Sequence, residues 1–254
     1  MTKKFLITGA TSGIGEAIAE RSIRDGHRVI GVGRRQDKLD ALAKRFGKAF
    51  SPLVLDLGNP EEISKLSQRL GGELRDVSVL VNNAGLALGL EKAHCAIEAD
   101  WVQMINTNVI GLSLLTRAVL PVMVERNEGH VVNIGSVAGT YPYPGGNVYG
   151  ATKAYVRQFS LNLRADLAGS AVRVTNIEPG LVGGTEFSSI RFRGDAGKAN
   201  DRYRGVVALS ASDIAESVAW VAGLPAHVNI NTLEVMPVAQ TFAPLTISRS
   251  STQS

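Results

Sequence analysis

Along this chain, short apolar runs alternate with longer stretches in which apolar residues recur every three or four positions. The runs are Lys4–Thr8, Arg28–Val32, Ala49–Leu55, Val77–Val81, His130–Ile134, Val172–Ile177 and Thr232–Met236. They carry Val and Ile without polar alternation, as strands buried on both faces do. Between them, Ile14–Arg24, Lys38–Phe46, Glu61–Leu70, Asp100–Arg126, Tyr149–Ala168 and Asp213–Ala222 show helical spacing. Strand and helix in strict alternation predict an α/β chain: a doubly wound, parallel sheet of about seven strands with helices on both faces. No linker, repeat or low-complexity block divides it, so residues 1–254 are expected to form a single domain. The least periodic segment, 187–208, reads as a substrate flap or a set of short helices. The polar tail from about 244 is expected to pack on a partner subunit or fray.

Composition changes this picture little. Of 254 residues, 44% are apolar and 20% charged, with a net charge of +4, ordinary globular usage. No Lys/Arg block of five occurs, so a nucleic-acid partner lacks its electrostatic footprint. The lone cysteine, Cys95, cannot form an internal disulfide, which suggests a reducing compartment. Lys3-Lys4-Phe5-Leu6-Ile7 starts like a secretion signal but ends at Thr8-Gly9, too short for its apolar region. No stretch approaches the ~18 apolar residues of a membrane span. A soluble, cytoplasmic protein without membrane contact is expected. No cluster of His, Cys and acid has metal-ligand spacing.

The candidate chemistry lies at strand ends and helix starts. Strand one runs into Thr8-Gly9-Ala10-Thr11-Ser12-Gly13-Ile14-Gly15 and then a helix. Gly9, Gly13 and Gly15 let the backbone turn tightly beside a pyrophosphate, with Thr11, Ser12 and Ile14 between them, and the helix N-terminus faces the anion. Within a βαβ unit this context supports a dinucleotide. Strand two ends in Arg34-Arg35, where an NAD site would place an acid; arginines there suit the 2′-phosphate of NADP. Asp56, with Leu57 beside it just past strand three, is placed to meet the adenine; it is equally placed to cap the next helix. Tyr149 and Lys153, four residues apart, share one helix face. A phenol has a pKa of about 10 and is a poor base at neutral pH, but a fixed ammonium nearby favours its ionised form.

Strand four ends Val81-Asn82-Asn83-Ala84-Gly85 and strand five ends Ile134-Gly135-Ser136. With the Gly-rich turn, Asn108 and the Tyr149/Lys153 pair, these motifs resemble the short-chain dehydrogenase/reductase family over nearly the whole chain, and with it a Rossmann-type fold. The stretches Leu80–Gly89, Thr116–Ser136, Gly145–Arg164, Ile177–Ser188 and Leu224–Pro237 are similar, more narrowly, to NADP-dependent 3-hydroxy acid dehydrogenases. Those act on serine, allo-threonine and related hydroxy acids or reduce malonic semialdehyde. The resemblance implies a homotetramer and the following roles. Tyr149 exchanges the proton, Lys153 lowers its pKa and bonds the nicotinamide ribose, and Ser136 holds the substrate oxygen. Asn108 holds a water linking Lys153 to solvent; the lesser alternative for a polar residue on a buried helix stripe is a structural helix–helix hydrogen bond. Asn83, Ala84 and Gly85 line the adenosine ribose. Pro179, Gly180 and Thr185 face the nicotinamide carboxamide. Four residues rather than the family's three separate Gly180 from Thr185, which leaves open whether Val182, Gly184 or Thr185 meets that carboxamide.

The resemblance also admits a rival, a 3-oxoacyl-carrier-protein or other small carbonyl reductase with the same catalytic set. An NADP-binding sensor fits poorly with four intact catalytic positions. A serine hydrolase misses its elbow, since Gly135-Ser136-Val137-Ala138-Gly139 is out of G-x-S-x-G register. For a substrate carboxylate, Arg191 and Arg193 are candidates, although loops commonly expose arginine to solvent, the expected state of both. Backbone donors near Gly145-Gly146-Asn147 are the other option.

Overall fold

The structure is a computed structural model that describes residues 2–201 and 203–242. In chain order its elements are β1 (Lys4–Thr8), α1 (Gly13–Arg24), β2 (Arg28–Gly33), α2 (Gln36–Phe46), β3 (Phe50–Val54), α3 (Pro60–Ser64), α4 (Leu66–Leu70), β4 (Val77–Asn82), α5 (Glu98–Ile105), α6 (Leu112–Arg126), β5 (Gly129–Ile134), α7 (Asn147–Asp166), β6 (Val172–Pro179), α8 (Phe187–Arg191), α9 (Ala196–Asp201), α10 (Ala211–Gly223) and β7 (Thr232–Val235). The seven strands form one parallel sheet in the order β3-β2-β1-β4-β5-β6-β7. The chain starts mid-sheet, winds out to β3, then returns to β4 and winds the other way. The connections after β1 and β4 therefore leave on opposite faces, and a crevice opens between their C-terminal ends.

Alternation along each strand divides the core in two. Phe5 and Ile7 join Val29, Val79, Val81 and Val132 against α1, α2 and α10, through Ile18, Leu39 and Val218. Leu6 joins Ile30, Leu80, Val131 and Val174 against α6 and α7, through Leu115, Val119, Met123 and Leu163. Both sheet faces are covered, which is why the strands read as continuous apolar runs.

Two helices differ from expectation. The stretch Glu61–Leu70 breaks at Lys65. The Ser64 hydroxyl takes the Glu61 carbonyl at 2.7 Å, and the Lys65 N–H bonds Glu62 rather than Glu61, so the ladder is interrupted by side-chain competition. Between α5 and α6 the backbone widens into a π-type turn, Asn106–Gly111, a feature that recurs at functional sites. The run Glu98–Arg126 is long and apolar enough by length and composition to cross a membrane, a correction to the sequence expectation. Its Leu115, Val119 and Met123 nevertheless pack on the sheet. The segment 187–208 contains the short helices α8 and α9. The tail expected from 244 lies outside the described residues.

Candidate active site

The end of β1 is bound to the end of β4. The Asn83 and Ala84 N–H groups donate to Thr8 Oγ1 at 3.0 and 2.9 Å, and Asn83 Nδ2 donates to the Thr8 carbonyl at 2.9 Å. This clamp draws the Gly-rich turn so close that a Cβ on Gly9, where φ is +66°, would stand 2.9 Å from Asn83 Nδ2. One on Gly15 would stand 2.2 Å from the Gly9 carbonyl oxygen. Both positions therefore require glycine. Ser12 precedes α1 without capping it through its side chain, so the helix's first N–H groups remain available to an anion.

A cleft of about 630 Å³ runs along these strand ends. Its walls include Gly9, Thr11, Ser12, Gly13, Ile14, Arg34, Arg35, Asp56, Leu57, Asn83, Ala84, Gly85, Ser136, Tyr149, Lys153, Pro179, Gly180, Val182 and Thr185. Two sequence candidates are not on it. Gly15 packs behind the turn. Asn108, 1% exposed, lies in the π-type turn and brackets Leu86, accepting from its N–H at 2.9 Å and donating to its carbonyl at 2.9 Å. It also donates to Thr152 Oγ1 at 3.1 Å. The structural bond is the role these contacts describe: Asn108 ties the loop after β4 to α7.

At one end of the cleft, α7 presents Tyr149 and Lys153 on one face. Lys153 Nζ lies 5.9 Å from the centre of the Tyr149 ring and donates to the Ile134 carbonyl at 2.8 Å. Burial holds the lysine pKa down to about 8, because an ammonium out of water is disfavoured. Ser136 Oγ accepts from the Ala138 N–H at 3.1 Å and donates weakly, at 3.4 Å, to the Pro179 carbonyl, a contact it can exchange for a ligand oxygen. Phe187 leans on Tyr149 with ring centres 5.8 Å apart.

At the other end, Arg34 is exposed and Arg35 is engaged. Arg35 donates to Ser12 Oγ at 2.9 Å and to Glu186 Oε2 at 2.8 Å, and Lys38 donates to Glu186 Oε1 at 2.8 Å. Lys38 first, then Arg35, hold the Glu186 carboxyl down to about 2. Lys38 and Glu186 escaped the sequence reading. Lys38 follows Arg35 by three positions in the first turn of α2, a spacing that puts both on one face; Glu186 gave no local signal. Asp56 Oδ1 accepts from the Gly58 N–H at 2.8 Å, and the helix cap is Asn59, whose Oδ1 takes the Glu61 N–H at 3.0 Å. That removes the capping reading of Asp56.

The extra residue between Gly180 and Thr185 is absorbed locally. The Gly183 N–H donates to the Leu209 carbonyl at 2.8 Å and the Leu209 N–H to the Leu181 carbonyl at 3.0 Å, a short bridge, and Gly184 turns the chain with φ +68°. Val182 and Thr185 consequently face the cleft and Gly184 does not. Arg193 is exposed and pairs with Asp100. Arg191 is buried, against expectation: at the end of α8 it packs on Gly89 and Tyr143. Among the described residues no group of three or more His, Cys, Asp or Glu side chains suits a metal ion.

The donor set fits a phosphorylated dinucleotide: an uncapped helix start beside a glycine turn, then Arg34 and Arg35 on the cleft wall. Comparisons with known proteins agree. The family profile described as short chain dehydrogenase matches residues 3–194. An NADP-dependent 3-hydroxy acid dehydrogenase, YdfG, of Salmonella typhi is 61% identical over 245 residues, 96% of this chain and 99% of that protein. A serine 3-dehydrogenase of Rhizobium radiobacter is 48% identical over 251 residues, 99% of this chain and 100% of that protein. The closed form of a serine dehydrogenase complexed with NADP+ superimposes with a TM-score of 0.95 at 58% identity, covering 97% of this chain and 100% of that one.

Proposed function

This chain belongs to the short chain dehydrogenase family, and from that premise we propose its reaction. It is an NADP-dependent oxidoreductase that moves a hydride between the nicotinamide and the 3-hydroxyl or 3-oxo carbon of a small hydroxy acid. The substrate class is that of serine, allo-threonine and 3-hydroxypropionate with malonic semialdehyde. One arrangement carries the reading: the Tyr149/Lys153 pair and Ser136 line the same cleft as Arg34, Arg35 and Glu186, and Lys38 pairs with that Glu186.

Bound NADP supplies the hydride chemistry; the chain positions, polarises and moves a proton. The helix start at Gly13 would hold the pyrophosphate, Arg34 and Arg35 the 2′-phosphate, and Thr185 with Val182 the nicotinamide end. Ser136 donates a hydrogen bond to the substrate oxygen and stabilises charge that develops there. In oxidation Tyr149 accepts the hydroxyl proton, and in reduction it returns one. Lys153, protonated below pH 8, keeps the Tyr149 oxygen acidic enough for both. Asn108 holds the loop Asn83–Leu86 against α7, so the wall facing Lys153 keeps its shape.

We further infer a cytoplasmic homotetramer. Ile105, Ile110, Leu114, Tyr155 and Leu161 are exposed along the helices of one face, and Trp220 and Phe242 near the β7 edge, apolar surfaces suited to copies of the chain. Cys95 is exposed and free, as a reducing compartment permits.

The test is a substrate panel followed by NADPH absorbance: L-serine, L-allo-threonine and 3-hydroxypropionate with NADP+, against acetoacetyl thioester with NADPH. Turnover of the hydroxy acids with little on the thioester is expected. The reverse preference would replace this reading with that of a carrier-protein reductase.

A further inference from the structure

Among the described residues, Arg191 is the buried arginine of the cleft, and no carboxylate answers its charge. It closes α8, is 3% exposed, and lines the same end of the cleft as Tyr149 and Ser136. Nε donates to the Gly89 carbonyl at 3.0 Å and Nη2 to the Tyr143 hydroxyl at 3.0 Å. In return the Gly89 N–H donates to the Arg191 carbonyl at 3.1 Å. The guanidinium carbon stands 5.6 Å from the centre of the Tyr143 ring and 5.5 Å from that of Tyr149. Its orientation is thus fixed from three sides.

The molecule's other engaged arginines show what is missing. Arg35 has Glu186, Arg157 has Glu178 and Arg193 has Asp100. Buried Arg173 has no acid but donates to three carbonyls, those of Val221, Ala222 and Val228. Among the described residues no carboxylate pairs with Arg191, and its Nη1 has no hydrogen-bond partner. Removing a cation from water costs several kcal/mol unless an anion or full hydrogen bonding compensates, and two tyrosine rings offset only part of that.

We propose that Arg191 is the carboxylate-binding residue of the substrate site. This deepens the hydroxy-acid reading and rests on it. The free edge of the guanidinium presents parallel N–H donors, which match the two oxygens of a carboxylate. With the guanidinium over the Tyr149 ring, an acid held at both groups has its carboxylate close to the reacting carbon. That is the geometry of a short 3-hydroxy acid and not of a carrier-protein thioester. Because α8 carries Arg191, Phe187 and, one residue earlier, Glu186, the residue that recognises the substrate sits on the segment that packs against the proton-transferring tyrosine.

The test uses the NADP+-loaded protein and two readouts. In the first, the ratio of kcat/KM for 3-hydroxypropionate to that for its methyl ester is measured. In the second, malonate, which has the carboxylate but no oxidisable hydroxyl, is titrated calorimetrically. Arg191→Gln should lower the acid-to-ester ratio and malonate affinity by about 100-fold each, the effect of losing a charge-assisted pair. Arg191→Lys should retain about a tenth of the wild-type ratio, keeping the charge without the fork. If Arg191→Gln slows acid and ester equally and binds malonate like the wild type, Arg191 merely props the flap and the proposal falls while the hydroxy-acid reading stands. If the wild type oxidises no hydroxy acid yet binds malonate through Arg191, the anion site stands and the reaction assigned above falls.

Discussion

The two walls of the cleft are held together by different physics. The floor consists of strand ends. Thr8, Asn83 and Ala84 are tied by hydrogen bonds between side chain and backbone, and Lys153 and Asn108 reach the Ile134 carbonyl and the Leu86 N–H from α7 and the π-type turn. Of these bonds only that of Lys153 Nζ uses a ligand-binding atom, and the ammonium has two further N–H donors to offer. The flap, 187–208, and Glu186 just before it are held by charged and polar tips: Glu186 on Arg35 and Lys38, Arg191 on Gly89 and Tyr143, Tyr203 on Ser188 and the Val182 carbonyl. Several of those tips are the groups a phosphate or a carboxylate would engage. A floor independent of ligand can hold a proton-transfer geometry in advance, which is where preorganisation counts most. A flap whose anchors are ligand sites makes its seating depend on what is bound.

The largest expected effect breaks the comparison on the floor side. Tyr149→Phe removes one oxygen and leaves the ring packed on Phe187. Turnover should fall by roughly 10²–10⁴, the range for losing a general acid–base group, while NADP binding, followed by fluorescence titration, is retained. Near-normal turnover would take Tyr149 out of the chemistry and leave the floor a mere support.

At the adenosine end, replacing Arg34 and Arg35 with Ala should raise the KM for NADP by about 100-fold and that for NAD by only a few-fold. This is the scale of two charge-assisted contacts to phosphate. Equal effects on both cofactors, in parallel initial-rate measurements, would show that Arg35 serves the flap through Glu186 rather than the 2′-phosphate.

Lys153 sharpens the comparison, because a preorganised floor carries a stability cost. Its pKa is about 8 in the folded chain against an ordinary 10.5, so the folded state disfavours its charge by on the order of 3 kcal/mol. That cost is full below pH 8 and fades as pH rises toward 10.5, where the unfolded lysine also loses its proton. Lys153→Met should abolish turnover yet stabilise the cofactor-free protein at pH 7. The net gain is about 1–2 kcal/mol once the orphaned Ile134 carbonyl is counted, or a Tm increase of roughly 4 °C. Calorimetry at pH 7 and pH 10 checks the sign: a gain that does not shrink at the higher pH would place its origin in packing rather than charge.

The same division explains what could be read along the chain beforehand. A strand buried on both faces writes its length in consecutive Val and Ile, and its end in glycine or asparagine. Every strand was therefore legible to within about two residues, and the floor residues followed, since they sit immediately after those ends. Helix interruptions were not legible: the Lys65 break turns on one serine hydroxyl, and the π-type turn at Asn106–Gly111 on packing against Leu57, where a Cβ at Gly111 would meet the Leu57 carbonyl oxygen at 2.2 Å. In the flap, Arg191 and Arg193 are indistinguishable by composition. Only the fold decides that one is buried over Tyr149 and the other meets Asp100 in solvent. Glu186 was invisible for the same reason, since its partners lie 148 and 151 residues away.

The smallest effect tests whether flap and cofactor compete. The Glu186 carboxylate, held ionised by Lys38 and Arg35 down to about pH 2, is charged throughout the working range, so no pH change relieves it. In its present position it pairs with Lys38 and with Arg35, which lies with Arg34 on the cleft wall, and a phosphate bound at Arg35 must either displace it or share that arginine against like-charge repulsion. Its side chain is 41% exposed, so solvent screens the contest and the energy at stake is small. Glu186→Gln keeps the size and hydrogen-bonding reach and removes the charge; it should tighten NADP about three- to tenfold at low ionic strength, with the advantage shrinking as salt is added. NAD, which lacks the phosphate, should gain nothing. Looser NADP binding in this variant would mean that Glu186 orients Arg35 toward the phosphate. The flap would then be part of the cofactor site rather than its competitor, and the contrast between the two walls would narrow to the substrate end, where Arg191 stands.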